Sequence, residues 1–256
     1  MSVRKAVLAV DAGNSRIALG CVAGEEVLRT RRVGCEDASA VGEALAELWD
    51  LAEGPKVVVA SSVNPEALAV VRDEAGRRID REVLLVGHEV DRPIETNLPD
   101  PASVGTDRLC AAAMAYQRLG SACVVADVGT AMTVDCVSDD GVFLGGAILP
   151  GLGMGARALA SETAVLPPVE LQRPDWVFGT DTRQAMVGGL VYGARGSLRE
   201  LTEAYATELG AWPPLVLTGG DAELVGQGYD IVHAIVPDLC LMGIALAYHL
   251  NPPQAT

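Results

Sequence analysis

Two short stretches of this chain bring a carboxylate, a glycine and a small polar residue together: Asp11-Ala12-Gly13-Asn14-Ser15 and Asp127-Val128-Gly129-Thr130-Ala131. In each, an apolar run ends at the Asp and alternating apolar residues resume after the turn, the pattern of a β-hairpin. A carboxylate at the end of a buried strand, followed by Gly and Asn or Thr, sets an anion beside backbone N–H groups, a geometry that suits a cation and a phosphate together. Gly13 is expected to supply a backbone conformation closed to other residues and to let phosphate oxygens approach N–H groups. Asp11 and Asp127 facing one another would repel unless a cation stood between them. An ordinary hairpin closed by Asx chemistry is the alternative for either turn taken alone. The recurrence favours function.

A third constellation is Val104-Gly105-Thr106-Asp107-Arg108, where a proline-rich stretch meets a helix. An Asp in a first helical turn is stabilised as an anion by the helix dipole, and the planar fork of Arg108 suits bidentate recognition of a carboxylate or phosphate. Thr106 or Asp107 acting as a plain N-cap is the competing account. Thr218-Gly219-Gly220-Asp221 closes a strand and begins a helix; its glycines would let a base or ribose lie against backbone, or simply make a tight turn. Leu159–Pro167 reads as a helix running into a proline stop. Phe178–Met186 reads as a polar loop in which Thr180, Asp181 or Thr182 caps a long helix.

These residues need a frame. Strands are expected at 6–10, 16–22 and 26–33, a helix at 38–51, a strand at 56–60, a helix after Asn64-Pro65 and a strand at 82–86. Residues 91–101, polar and rich in proline, read as an interdomain linker or a substrate loop. The second part repeats the first: a helix over 106–119, strands at 123–126, 132–137 and 142–149, a helix at 156–162, a long helix after Asp181, a strand at 215–217 and a last helix at 238–249. Strand–helix alternation predicts α/β layers. Two halves that each open with a D-x-G hairpin resemble the duplicated ribonuclease-H-like architecture of acetate and sugar kinases, heat-shock chaperones and actin. That resemblance implies an actin-like ATPase fold of two similar domains, 1–104 and 105–256, with an ATP cleft between them.

Composition narrows the function. The chain has 256 residues, half of them hydrophobic, enough to bury a core in one large domain or two ordinary ones. A net charge of −15 argues against nonspecific nucleic-acid or anionic-membrane binding. The lead before Asp11 is too short for a signal peptide or a membrane span, so a cytoplasmic protein is expected. Six scattered cysteines without C-x-x-C read as reduced, mostly buried thiols, and the three histidines stand in structural contexts. Lys5 and Lys56 are the only lysines and neither lies in a P-loop motif, so phosphates would be held by amides, metal ions and arginine.

Eight motifs taken in order resemble type III pantothenate kinases: D-x-G-N-[ST] at 11–15, S-S-V-x-P at 61–65, G-x-D-R at 105–108, D-x-G-T-A at 127–131, G-G-x-I-x-P-G at 145–151, T-A-x-L-P at 163–167, G-x-x-T-x-x-A-M at 179–186 and T-G-G at 218–220. The resemblance implies ATP-dependent phosphorylation of the primary hydroxyl of pantothenate, the first step toward coenzyme A. Residue by residue, it makes Asp107 the general base and Gly105, Thr106, Asp107 and Arg108 the pantothenate contacts. Asp11, Ala12, Gly13, Asn14, Ser15, Arg16, Ile17 and Ala18 would hold the ATP phosphates, with Mg²⁺ at Asp11 directly or through water. Asp127 would bind a monovalent cation, K⁺ or NH₄⁺, and Thr130 the nucleotide. Thr182 would touch pantothenate from the partner subunit of a homodimer. Three positions depart from the pattern: Leu98 replaces a tyrosine, Ala111 an asparagine and Met132 a threonine. A kinase of the same superfamily acting on another small hydroxy compound, and a non-catalytic or regulatory relative, are the alternative readings.

Overall fold

The computed structural model describes residues 5–24, 26–54 and 56–252; Met1–Arg4, part of the lead read as too short for a signal peptide, lie outside them. The first strands are β1 (Ala6–Ala12), β2 (Arg16–Ala23) and β3 (Glu26–Gly34), followed by α1 (Ala38–Trp49), β4 (Lys56–Ser62), α2 (Pro65–Ile79) and β5 (Val83–Leu85). β1 and β2 are antiparallel, as are β2 and β3, whereas β4 joins β1 and β5 joins β4 in parallel, giving the order β3-β2-β1-β4-β5. All of Ala6–Val10 is buried, as a parallel-paired strand covered on both faces requires. Leu8 and Val10 pack with Val41, Leu45, Leu48 and Val71 of α1 and α2. The C-terminal helix α7 (Leu239–Leu250) packs on β1, β2 and β4. Gly20 lets it close in, because a Cβ there would stand 3.0 Å from Leu241 Cδ1. At α2, the Asn64 side chain accepts the N–H groups of Glu66 and Ala67 while Pro65 occupies the first turn, a start worth about 1 kcal/mol.

The same order recurs. After β6 (Glu95–Thr96), a 3₁₀ turn (Pro101–Ser103) and α3 (Thr106–Leu119) come β7 (Cys123–Val128), β8 (Ala131–Val137) and β9 (Val142–Pro150). Then follow α4 (Leu152–Ser161), α5 (Thr182–Leu209), β10 (Leu215–Thr218), α6 (Ala222–Gly226) and β11 (Val232–Ile235). β7 and β8 are an antiparallel pair, β10 adds to β7 in parallel and β11 to β10 in parallel, so β9-β8-β7-β10-β11 repeats the first sheet strand for strand. This is the duplicated ribonuclease-H-like, actin-like ATPase fold that the two hairpins imply. In this half, Val124, Ala126 and Val128 pack with Leu152 of α4 and Val191 and Leu198 of α5.

Internal contacts group residues 1–118, 141–143 and 238–256 into one compact unit and 119–140 with 144–237 into the other. Most of α3 and all of α7 therefore go with the first sheet, although the reading by motif placed them after residue 104. Residues 91–101 lie wholly inside the first unit, where β6 pairs with Val142 and Phe143, so they are not an interdomain linker. The short strands β6 and β11 escaped the sequence reading, being too brief for any period to register, whereas the helix expected to begin after Thr218-Gly219-Gly220-Asp221 is α6. Helix α4 starts at Leu152 instead of Ala156, capped by the backbone of Gly151. All six cysteines are free thiols, five of them buried. Among the described residues no helix is long and apolar enough to cross a membrane.

Candidate active site

Asp11 is the last polar residue of β1, opposite Ala18 of β2 and beside Ser61 of β4. The turn is closed by Gly13 N–H donating to Arg16 O at 3.1 Å. Two expectations change here. Gly13 does not have a positive φ; a Cβ there would make a tight 3.1 Å contact with the Arg16 carbonyl oxygen. Its N–H is spent inside the turn, so phosphate oxygens would meet the exposed residues Asn14, Ser15 and Arg16. Ala12 and Ile17 have fully buried side chains in the core of the first unit. They can serve a nucleotide only through their backbone, as the hairpin's paired frame.

Asp107 lies in the first turn of α3, and Gly105 O accepts the first helical N–H, that of Leu109, at 3.4 Å. Gly105 is therefore the cap, and neither Thr106 nor Asp107 acts as one. The Thr106 hydroxyl is 2.7 Å from that of Ser61, a fully buried residue at the end of β4, which ties the helix start to the strand beside Asp11. Asp107 Oδ1 accepts the Arg108 N–H at 2.8 Å. A Cβ on Gly105 would overlap that oxygen and stand 3.1 Å from Val63 Cγ1, so the carboxylate is folded onto bare backbone under an apolar side chain. Burial there raises the Asp107 pKa above the usual carboxylate range, against the lowering effect of the Arg108 N–H and guanidinium. Beneath it, the Cys110 thiol is pushed well up by burial and by the charges of Asp107 and Asp11. Both carboxylates therefore act on one buried atom. The Arg108 guanidinium lies 5.7 Å from the centre of the Phe143 ring, a stack that fixes its direction.

In the second unit, Asp127 stands opposite Thr133 of β8 and beside Thr218 of β10, the counterpart of the Asp11–Ser61 relation. This turn is one residue tighter: Val128 pairs with Met132, and Gly129 N–H donates to Ala131 O at 3.0 Å. Gly219, with φ +96°, presses its backbone onto Asp127: a Cβ would overlap the carboxylate and stand 2.6 Å from Val128 O. Asp221 N–H binds that same Val128 oxygen at 2.9 Å. The T-G-G turn thus wraps the Asp127 carboxylate. Gly151 is likewise forced, because a Cβ would overlap the Gly129 carbonyl oxygen. Thr130 is exposed at the tip, while Met132 is buried in the core.

Thr182 is exposed on the first turn of α5, whose cap is Asp181, accepting Gln184 N–H at 2.9 Å. Thr163 closes α4 by donating to Leu159 O at 2.7 Å, so T-A-x-L-P is a helix stop in this unit. Lys56 donates to Trp49 O and lies over the Trp49 ring, and Lys5 lies over Tyr248, which places both lysines on aromatic surfaces. The roles of Ser61 and Gly219 were not legible in the sequence. A hydroxyl at the end of a parallel strand beside the Asp strand, present in both halves, was the available signal.

Residues 7–204 match the type III pantothenate kinase family. A type III pantothenate kinase of Dehalococcoides mccartyi is 32% identical over 252 residues, spanning 96% of this chain and 98% of its own. One of Moorella thermoacetica is 34% identical over 253 residues, spanning 96% and 99%. Among solved structures, component A of the Acidaminococcus fermentans (R)-2-hydroxyglutaryl-CoA dehydratase superposes with a TM-score of 0.55 at 14% identity, covering 96% of this chain and 97% of that one. At that identity the likeness concerns the fold alone.

Proposed function

The chain belongs to the type III pantothenate kinase family, and on that premise we infer that it transfers the γ-phosphoryl group of ATP to the primary hydroxyl of pantothenate, the first step of coenzyme A biosynthesis. The observation that carries the reading is Asp107, desolvated at a helix start with its pKa raised. As the hydroxyl oxygen forms its bond to phosphorus and the bond to the ADP oxygen breaks, the proton passes to the Asp107 carboxylate. Phosphoryl transfer asks mainly for positioning and charge neutralisation, so a carboxylate accepting the proton late is sufficient. Gly105, Thr106 and Arg108 would position the substrate around that base.

The hairpin 11–18 would hold the ATP phosphates, with Mg²⁺ at Asp11, and Thr130 would meet the nucleotide. The residues fit weakly caged cations: among the described residues no group of three or more His, Cys, Asp or Glu side chains is placed to hold a metal ion, while Gly219 sets its backbone directly against the Asp127 carboxylate. Mg²⁺ commonly relies on one or two carboxylates plus substrate phosphates and water, which suits Asp11. A monovalent cation, K⁺ or NH₄⁺, suits Asp127. When bound, these ions supply the neutralisation of phosphate charge that the scarce lysines do not.

A homodimer completes the proposal, with Thr182 reaching the partner's substrate. Support comes from the second unit, where the large apolar side chains of Ile148, Val165, Val177 and Phe178 are 65%, 85%, 77% and 84% exposed and would be covered by a partner. The protein would work in the cytoplasm. A coupled assay of ADP release with pantothenate, run with and without Mg²⁺ and K⁺, tests the reading. Phosphopantothenate formed only with both ions is the expected result; none under any ion condition refutes it.

A further inference from the structure

Outside the carboxylate turns, the first unit contains a cavity of ≈ 380 Å³ bounded by Gly87, Asp91, Arg92, Glu95, Asn97 and Pro101, among others. It is built by the segment after β5. Gly87, with φ +88°, donates its N–H to Val90 O at 2.7 Å and turns the chain so that Arg92 doubles back. A point one Cβ out from Gly87 lies 3.4 Å from Thr106 Cγ2 and 3.8 Å from Arg92 Nε. The Arg92 guanidinium is therefore a neighbour of the turn that carries Asp107.

Its state is unusual. Arg92 Nε is shut off from solvent and has no hydrogen-bond partner, and among the described residues no carboxylate forms an ion pair with this side chain. A guanidinium keeps its charge at any physiological pH, and leaving a charged donor desolvated and unpaired is unfavourable unless something else satisfies it. Asp91 and Glu95 border the cavity, but both are exposed and water-screened, and neither reaches Arg92. Nearby, the Thr96 hydroxyl accepts Leu98 N–H at 3.2 Å, which leaves its proton to donate, and Asn97 adds an amide. The cavity thus offers donors to an anion, within the unit that carries the proposed base and close to Thr106.

Pantothenate carries its hydroxyl at one end and a single carboxylate at the other. We propose that Arg92 binds the substrate carboxylate, with Thr96 and Asn97 assisting, and so selects the acid over neutral analogues that share its hydroxyl. This rests on pantothenate being the substrate. The test compares the full-length protein with Arg92→Gln and Arg92→Lys on pantothenate and on pantetheine, which keeps the hydroxyl end and lacks the carboxylate, alongside calorimetric binding of pantothenate. Circular dichroism checks that each variant is folded.

The expected result is a KM for pantothenate raised roughly 10- to 100-fold in Arg92→Gln, as for loss of one charge-assisted contact, with kcat little changed. Pantetheine kinetics should be unaltered and Arg92→Lys intermediate. Equal shifts for both substrates, or none for either, overturn the proposal while leaving the kinase reading in place. If the parent binds pantothenate without turning it over and Arg92→Gln loses that binding, the kinase reading fails and the Arg92 site stands. If the parent neither binds nor phosphorylates pantothenate, both are overturned.

Discussion

Replacing Gly219 with alanine probes the contact that shapes the second carboxylate turn. The residue has φ +96°, and the new Cβ would overlap the Asp127 carboxylate and stand 2.6 Å from Val128 O. A left-handed backbone costs a non-glycine residue about 1–2 kcal/mol. The Val128 oxygen is a strand carbonyl already held by Asp221 N–H, so it cannot retreat as a side chain would. An intrusion of about 0.9 Å inside ordinary contact of ~3.5 Å adds the roughly 1–3 kcal/mol typical of overpacking. The sum, about 2–5 kcal/mol, corresponds to a melting temperature lower by roughly 4–20 °C in a chain of this size. Gly210 is the control: its φ is +73° with nothing within 4 Å of the added Cβ, so Gly210→Ala carries the strain without the contact. Thermal unfolding by circular dichroism should show the larger loss for Gly219→Ala. Kinase assays at 25 °C across a K⁺ titration should show a higher K⁺ requirement for that variant alone. Equal melting temperatures for the two variants, with unchanged K⁺ dependence, would refute the assignment of Gly219 as the cradle of Asp127.

Three further outcomes are expected. Asp107→Asn should lower kcat by about 10²–10⁴-fold, the usual worth of a general base, and should abolish an acid limb of kcat/KM that lies above the ordinary carboxylate range because burial raises the Asp107 pKa. A raised folded pKa means that this residue's contribution to stability is full below the unfolded pKa and is lost as pH rises through the folded one. Asp107→Asn should therefore be at least as stable as the parent at neutral pH, with the difference vanishing in acid; a variant less stable at neutral pH argues against the desolvated carboxylate. Phe178→Asp, at an 84% exposed position, should shift sedimentation from dimer to monomer without unfolding the chain, and an unchanged dimer removes that face from the interface. Gly196→Ala, on an exposed stretch of α5 with nothing within 4 Å of the new Cβ, should stabilise by about 1 kcal/mol through helix propensity, readable as a small rise in melting temperature.

The hairpins that carry Asp11 and Asp127, the helix start at Asp107 and the strand–helix alternation were readable because each rests on local pattern. An apolar run, a D-x-G turn and a helix start are signals spanning fewer than about twenty residues, within the reach of periodicity and turn chemistry. The long helix after Asp181 was equally plain, since Asp181 caps it as expected. Less was legible where one backbone meets another. Gly219 read as a residue of a tight turn, yet it, Gly105 and Gly151 are each forced by an atom distant in sequence or folded back upon it. Thr106 looked like a cap until the buried Ser61 hydroxyl claimed it. Residues 91–101 looked like a linker because prolines and charges dominate them, whereas they turn within a single unit and line a cavity.

What the sequence determined by itself, then, was the duplicated architecture and the order of its carboxylates, since both follow from strand and turn chemistry repeated along the chain. The tertiary structure decided which Asp is desolvated and which is wrapped by backbone. It also decided that Arg92, unremarkable as text, has an Nε shut off from water without a partner, close to Thr106. Burial and close approach depend on what packs from elsewhere in the chain, and desolvation rather than residue type distinguishes one carboxylate or guanidinium from another.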